Sequence, residues 1–356
     1  VPASGVTVKV AGKAFDGWKS ARVVRGIDAV CGSFDVAVSD RWANQLERWQ
    51  IAEEDTCSVA LNDTTVITGW VDRRSLSYGP DEHTLSVSGR DKVGAMVDCS
   101  AVLTSWEFWQ ASILTLAERL AAPFGVKVAM QAGLAAPTLG DKLTVDPGDS
   151  AFEALERGCR LAGVMPVSDG HGGLVLTRAG SSRCRTALVE GENILAAHAQ
   201  YDATGRYRTY RVTGQHPGTD DFAGDETATV RGSATDLGVR RADRVLLVRS
   251  ENTVMGDLAA KRAQWEAKTR AARGDSVNIT VQGWQDGSGA LWPVNALVDV
   301  RSPRIGVEGR LLVTQATHVL EERSGTTTEL VLKRPDAYLP EPIVQKAAIP
   351  EWAGGV

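Results

Sequence analysis

Alternation of apolar and polar positions dominates this chain, and its clearest instance occurs twice. Near the start, Val66-Ile67-Thr68-Gly69-Trp70-Val71-Asp72 is followed by a Gly79-Pro80-Asp81 turn and then Thr84-Leu85-Ser86-Val87-Ser88-Gly89-Arg90. Near the end, Leu311-Leu312-Val313-Thr314-Gln315-Ala316 is followed by Ser324-Gly325 and then Thr328-Glu329-Leu330-Val331-Leu332-Lys333-Arg334. Thr84 and Thr328, Val87 and Val331, and Arg90 and Arg334 share one separation of 244 positions. A period of two marks half-buried antiparallel strands, so both segments are predicted hairpins. A duplicated β unit lets one chain present nearly the same surface twice, and three such chains offer six similar positions.

The same period runs through Val6-Thr7-Val8-Lys9-Val10, Ser33-Phe34-Asp35-Val36-Ala37-Val38 and Cys57-Ser58-Val59-Ala60-Leu61. It predicts a small barrel or sandwich up to about Asp98. From Leu103 the pattern turns helical. Ser105 is placed to cap a helix running to Phe124, with Trp109, Ile113, Leu116, Leu120 and Phe124 on one face and Gly125 ending it. Ser150-Ala151-Phe152-Glu153 fits a capping box, with Phe152, Leu155, Cys159 and Ala162 along the buried face and Gly163 as the stop. Val164–Val167 and Leu174–Thr177 flank the glycine-rich turn Asp169-Gly170-His171-Gly172-Gly173. A third helix is predicted from Val254 to Arg273, its basic residues and Glu266 forming a solvated face beside Leu258 and Trp265. Strands resume at Val277-Asn278-Ile279-Thr280-Val281, and Pro335, Pro340, Pro342 and Pro350 make the end an extended arm.

At 356 residues the chain has room for two or three domains. Its 39 Lys+Arg against 44 Asp+Glu give a net charge of −5, which argues against a dedicated nucleic-acid binder. Cys31, Cys57, Cys99, Cys159 and Cys184 are odd in number and contain no Cys-x-x-Cys pair, so buried thiols are expected rather than a disulfide framework or a zinc site. No apolar run reaches the roughly 18 residues of a membrane span, and Val1-Pro2-Ala3-Ser4-Gly5 lacks a signal pattern. The start at Val1 rather than an initiator methionine suggests trimming or a start that lies before it.

Chemistry is sparse. No His-Glu-x-x-His, phosphate loop or Gly-x-Ser-x-Gly elbow is present. His83, His171, His198, His216 and His318 are dispersed and read as surface or satisfied structural residues. Glu53-Glu54-Asp55 and Asp220-Asp221 read as solvated loop charge rather than as a facing pair of carboxylates. The His171 turn has no following helix to hold a phosphate. No catalytic, cofactor-binding or metal residue is assigned, and no cofactor is expected. Trp18, Trp42, Trp49, Trp70, Trp106, Trp109, Trp265, Trp284, Trp292 and Trp352 push mildly toward assembly, because large aromatics favour interface cores.

Several stretches in order resemble the baseplate hub proteins of Mu-like contractile-tailed bacteriophages. They are Arg25-Gly26-Ile27-Asp28 with Ser33-Phe34-Asp35-Val36, then Thr68-Gly69-Trp70-Val71-Asp72 leading to Val87-Ser88-Gly89-Arg90-Asp91. Asp202-Ala203-Thr204-Gly205-Arg206-Tyr207 and Tyr210-Arg211-Val212-Thr213-Gly214-Gln215 follow. The C-terminal set is Gly283-Trp284, Gly289-Ala290-Leu291-Trp292-Pro293-Val294-Asn295, Val298-Asp299-Val300, Pro303, Leu311-Leu312-Val313, Gly325-Thr326-Thr327-Thr328 and Pro335-Asp336-Ala337-Tyr338. Asp149-Ser150-Ala151-Phe152-Glu153-Ala154-Leu155 is similar to hub regions of other contractile injection systems, type VI secretion spikes among them.

The resemblance implies a β-rich α+β multidomain fold. Two similar β-barrel domains and an α/β insert would assemble as a homotrimer, a pseudo-sixfold ring. Its expected layout is 1–100 as the first barrel, completed by 186–215, with 101–185 as the insert. Residues 216–340 are the helix plus second barrel, and 341–356 the proline-rich arm. The implied partners are the tail tube protein, the central spike protein and other baseplate proteins. DNA would meet it only in transit, with no stable membrane insertion. The implied place is the virion's tail baseplate, assembled in the bacterial host cytoplasm, and the implied role is structural, not enzymatic. The alternatives are a tail-tip peptidoglycan-binding or hydrolysing protein and a type VI-like spike hub. No spare domain-sized segment is available for a fused hydrolase, and the chain stops at Val356 without a spike's long β-helix.

Overall fold

The period-two segments fold as paired strands in the computed structural model, which describes residues 5–39, 50–79, 83–215, 229–249 and 256–342. In the first region these are β1 (Val6–Val10), β2 (Lys13–Phe15), β3 (Ser20–Gly26), β4 (Ser33–Ser39), β5 (Thr56–Leu61), β6 (Thr64–Tyr78) and β7 (His83–Asp91). They pair antiparallel in the order β3-β4-β7-β6-β5-β1-β2. Alternate residues such as Val8, Phe34, Val36, Val59, Leu85 and Val87 point into one core with Trp18 and Trp284. Burying side chains of this size contributes about 1.5–3 kcal/mol each before chain entropy is set against it.

The helical stretch holds α1 (Gly94–Asp98), β8 (Glu107–Trp109), α2 (Ile113–Ala121), β9 (Lys127–Met130), β10 (Lys142–Thr144), α3 (Ala151–Ala162), β11 (Met165–Ser168) and β12 (Gly173–Thr177). The helix expected from Ser105 begins only at Ile113. The Ser105 hydroxyl is engaged by Glu107, donating to its carbonyl at 3.1 Å, and β8 is drawn into a ladder with β10. Ser112 is the true cap, its hydroxyl accepting from the Thr115 amide at 3.1 Å, and Trp109 lies outside the helix and exposed. The capping box at Ser150 forms as expected. Its hydroxyl accepts from the Glu153 amide at 3.1 Å while the Glu153 carboxylate accepts from the Ser150 amide at 2.8 Å. Gly163 ends α3 in the left-handed region at φ 63°. The two helices bury Ile113, Leu116, Leu120, Leu155 and Cys159 against Leu174 and Leu176 of β12.

After β13 (Ser182–Arg183), β14 (Leu188–Val189) and β15 (Ile194–Tyr201), a small separate sheet forms from β16 (Thr209–Gln215), β17 (Thr229–Thr235) and β18 (Val245–Arg249). It packs Tyr210 and Val212 against Ala259, Ala263 and Ala267 of α4 (Gly256–Arg273). The third helix therefore exists, but Glu266 is not on a solvated face. It is only 5% exposed and takes Arg262 at 3.0 Å and Arg270 at 2.7 Å, one turn away on either side. The alanine stripe lets the helix lie close to the sheet, and the burial of Glu266 makes its cation partners necessary.

The chain closes with β19 (Asp275–Gln282), β20 (Ala296–Ser302), β21 (Val307–Glu321) and β22 (Gly325–Lys333) around Ile279, Val298, Val300, Leu330 and Leu332. The two similar β-barrel domains that the resemblance implies are not seen as closed barrels among the described residues. Among the described residues both regions belong to one sheet, β15-β19-β22-β21-β3-β4-β7-β6-β5-β1-β2, with β20 branching from β21. The joint is β21 against β3. Pro80, Asp81, Trp42, Trp49, Trp352, His216, Asp220, Asp221 and the arm from 343 onward lie outside the described residues.

Candidate functional site

The duplication read from sequence exists in the strand pairings. In the first region β4 pairs with β7, β7 with β6 and β6 with β5, and in the second β19 pairs with β22, β22 with β21 and β21 with β20. All six pairings are antiparallel, and each unit has a 15-residue strand followed by a 9-residue strand. Each long strand carries one bulge against its short partner, at Asp72 in one and Thr314 in the other.

The separation of 244 is off by one. Leu85, Val87 and Gly89 face inward in β7, and their inward counterparts in β22 are Thr328, Leu330 and Leu332, a separation of 243. A one-residue slip turns every side chain to the other face, so only the shorter separation preserves the core. Val36 opposite Val87 then corresponds to Ile279 opposite Leu330. Ala21 opposite Val36 corresponds to Ala197 opposite Ile279, which extends the repeat to β3 and β15.

The seam between the units has its own polar residues. β21 runs antiparallel to β3 with His318 opposite Val23 and Leu320 opposite Ala21. His318 is 2% exposed, and burial, with Arg25 second, pushes its imidazole down to about 4. The folded chain therefore holds it neutral, while an unfolded histidine titrates near 6.5. Stability from this site is fully present above pH 6.5 and is lost as pH falls toward 4. The loss should reach about 3 kcal/mol relative to a His318→Leu variant, measured by denaturant unfolding at pH 7 and pH 4. An equal pH slope in both proteins would contradict the assignment.

Beside the seam, the buried Asp91 carboxylate accepts from the Gly32 amide at 2.7 Å and the Val93 amide at 3.1 Å. Arg25 donates to the Ser168 carbonyl at 3.2 Å, so this cluster ties the first β region to the insert. Burial raises the Asp91 carboxyl above the usual carboxylate range against the pull of its hydrogen bonds. The glycine-rich turn ends at the same place. Asp169 accepts from the His171 and Gly173 amides at 2.7 and 2.9 Å, and a Cβ on Gly170 would lie 2.6 Å from the Val66 carbonyl. Its glycines serve a close approach to β6.

A groove of about 940 Å³ runs between α3, α4 and the segment 335–341. Several of its charges are paired. Asp28 takes Lys333 at 2.7 Å and the Tyr338 hydroxyl, and Glu341 takes Arg262. Burial, then Asp28, raises the Tyr338 phenol. Burial likewise pushes Cys57 and Cys159 up to about 12 and Cys184 up to about 11, which leaves poor nucleophiles. Glu53 pairs with Arg74 and Asp55 accepts from the Ala52 amide, both at the surface. Among the described residues no three His, Cys, Asp or Glu side chains group as metal ligands, and no helix is long and apolar enough to cross a membrane. The features that stand out are surfaces and seams. Sequence reasoning missed the seam; its signal was the unusual length of the 64–78 and 307–321 strands.

Comparison with known proteins matches this geometry. Residues 5–91 match the family described as Mu phage baseplate assembly protein GpP-like, N-terminal, and 93–178 match the baseplate hub protein gp44-like second domain. Residues 255–341 match the fourth domain of Mu phage baseplate assembly protein GpP. The baseplate hub protein gp44 of Escherichia phage Mu is 29% identical over 347 residues, covering 94% of this chain and 89% of that protein. A 43 kDa tail protein of prophage MuSo2 from Shewanella oneidensis has a TM-score of 0.83 at 28% identity, covering 95% of this chain and 99% of that one. A type VI secretion component from E. coli shares the fold at a TM-score of 0.56 and 8% identity, over 95% of this chain and 80% of that one. The chain belongs to the baseplate hub proteins of Mu-like contractile-tailed bacteriophages.

Proposed function

We propose that this baseplate hub works as a homotrimer that adapts the sixfold tail tube to the threefold central spike and forms part of the DNA channel. The observation carrying the reading is the repeated unit, whose strand pairings correspond one for one and whose long strands bulge at the same place against their short partners. Two near-equivalent surfaces per chain give three chains six positions for a sixfold tube, while the unrepeated parts keep threefold symmetry for the spike. The insert, the small sheet and α4 are such unrepeated parts. We place the domain divisions at 1–100, at 101–185, at 216–340 and at the arm 341–356, with 186–215 joining the second region and the small sheet, where its strands pair, rather than completing the first.

In this reading the hub acts through shape and symmetry and performs no bond chemistry. The net charge of −5 suits a wall that DNA passes without adhering. Other baseplate proteins complete the assembly around it in the virion, after assembly in the host cytoplasm. Light scattering and averaged electron micrographs of the purified protein test the proposal. The expected particle has three times the 38.0 kDa chain mass, an open centre and six peripheral lobes. A chain that stays monomeric when mixed with tube and spike proteins would overturn it.

A further inference from the structure

The small sheet β17-β16-β18 has two unlike faces. Tyr210, Val212, Ala234, Leu246 and Val248 pack toward the alanine stripe of α4. Alternation sends their neighbours to the opposite face, where Arg211, Arg231, Ser233, Leu247 and Arg249 are exposed. Ladder register groups the cations. Arg231 and Arg249 lie opposite Thr213, one on either side, and Arg211 lies opposite Ser233 and Leu247 in the next outward row. With strands about 4.8 Å apart, the three arginines stem from a patch roughly 10 Å across. Among the described residues none of the three has an ion pair, and no carboxylate stands on this face. Nearby arginines do have partners, Arg206 with Asp236 and Arg241 with Asp243.

We propose that this face docks an acidic, partly apolar segment of another protein. The proposal does not depend on the trimer. Like charges held this close repel, and covering carboxylates relieve the repulsion while accepting the paired N–H groups of a guanidinium. The chain as a whole carries a net charge of −5, so the patch is a local exception to its own surface. Val245 and Leu247, 42% and 69% exposed beside the arginines, select a protein over a nucleic acid. A duplex would bring phosphates to the cations but only polar groups to the two apolar side chains. A segment carrying both carboxylates and apolar side chains satisfies both, and arginine beside apolar residues is the usual composition of a protein interface.

Fluorescence anisotropy of a labelled peptide of alternating glutamate and leucine, titrated with the full chain, tests this. Wild-type protein should bind the peptide, and more weakly as salt is raised. Arg211→Gln, Arg231→Gln and Arg249→Gln together should weaken binding by about tenfold or more. Leu247→Ser should weaken it too, while leaving the binding of poly-glutamate unchanged. Arg241→Gln, which removes an exposed arginine already paired with Asp243, should bind as wild type does. Each changed residue is exposed, so thermal unfolding of every variant should match that of wild type. No binding by wild type, or equal binding by wild type and the triple variant, would overturn the proposal. So would tighter binding of a duplex oligonucleotide that the same triple variant loses, which would assign the face to nucleic acid instead.

Discussion

Gly89→Ala is expected to destabilise the first β region by about 3 kcal/mol or more, at the upper end of the range for overpacked sites. Gly89 lies in β7 between Phe34 and Val71 in the ladder, where the long strand β6 bulges at Asp72. A Cβ there would sit 2.1 Å from the Trp70 carbonyl oxygen and 2.8 Å from the Phe34 ring. The first neighbour is backbone, so relief requires separating the strands rather than turning a side chain. Hydrogen exchange should show the amides of Thr64–Tyr78 and His83–Asp91 losing protection while those of β19 to β22 keep it. Unchanged protection in the first hairpin would refute the argument. The equivalent residue of the second unit is Leu332, so the bulge does not impose glycine by itself. The inward turn of the Trp70 carbonyl does.

Asp91→Ala should cost about 3–5 kcal/mol, comparable to breaking a buried ion pair from one side. It removes the acceptor for the Gly32 and Val93 amides and takes from the buried Arg25 a negative charge that favours its charged form. Asp91→Asn keeps the shape and one oxygen acceptor, so its loss should be clearly smaller. Urea unfolding of the three proteins decides the matter. Equal losses for alanine and asparagine would make the charge the whole effect, and a negligible loss for alanine would mean that the cluster does not hold the insert to the β region. Because Val93 opens the 93–178 segment and Ser168 lies toward its far end, the alanine variant should also expose that segment to protease.

How far the sequence was legible follows the range of the interactions involved. The Ser150 capping box, the Gly163 stop and the β11–β12 hairpin depend on residues within a few positions of one another, and each formed as read. Ser105 satisfied the same local rule for a helix start and failed. Its segment found a ladder partner at Lys142–Thr144, a contact no local rule contains. Glu266 failed for a related reason: helical spacing gives its place on α4 but not how deeply tertiary packing buries it.

The repeat shows both sides of this boundary. Two hairpins of like period and order were visible in the residue pattern, and through it the family to which the chain belongs. The separation of 244 was a match of residue types, whereas the inward faces of the short strands β7 and β22 require 243. Alternation determined by itself that these segments are half-buried strands, because a period of two is set by backbone geometry in each strand alone. The tertiary structure decided which edge each strand offers to which partner. Val23 meets His318 and Gly89 meets Val71 through ladder register, and register is fixed by turns, bulges and burial summed over the whole sheet.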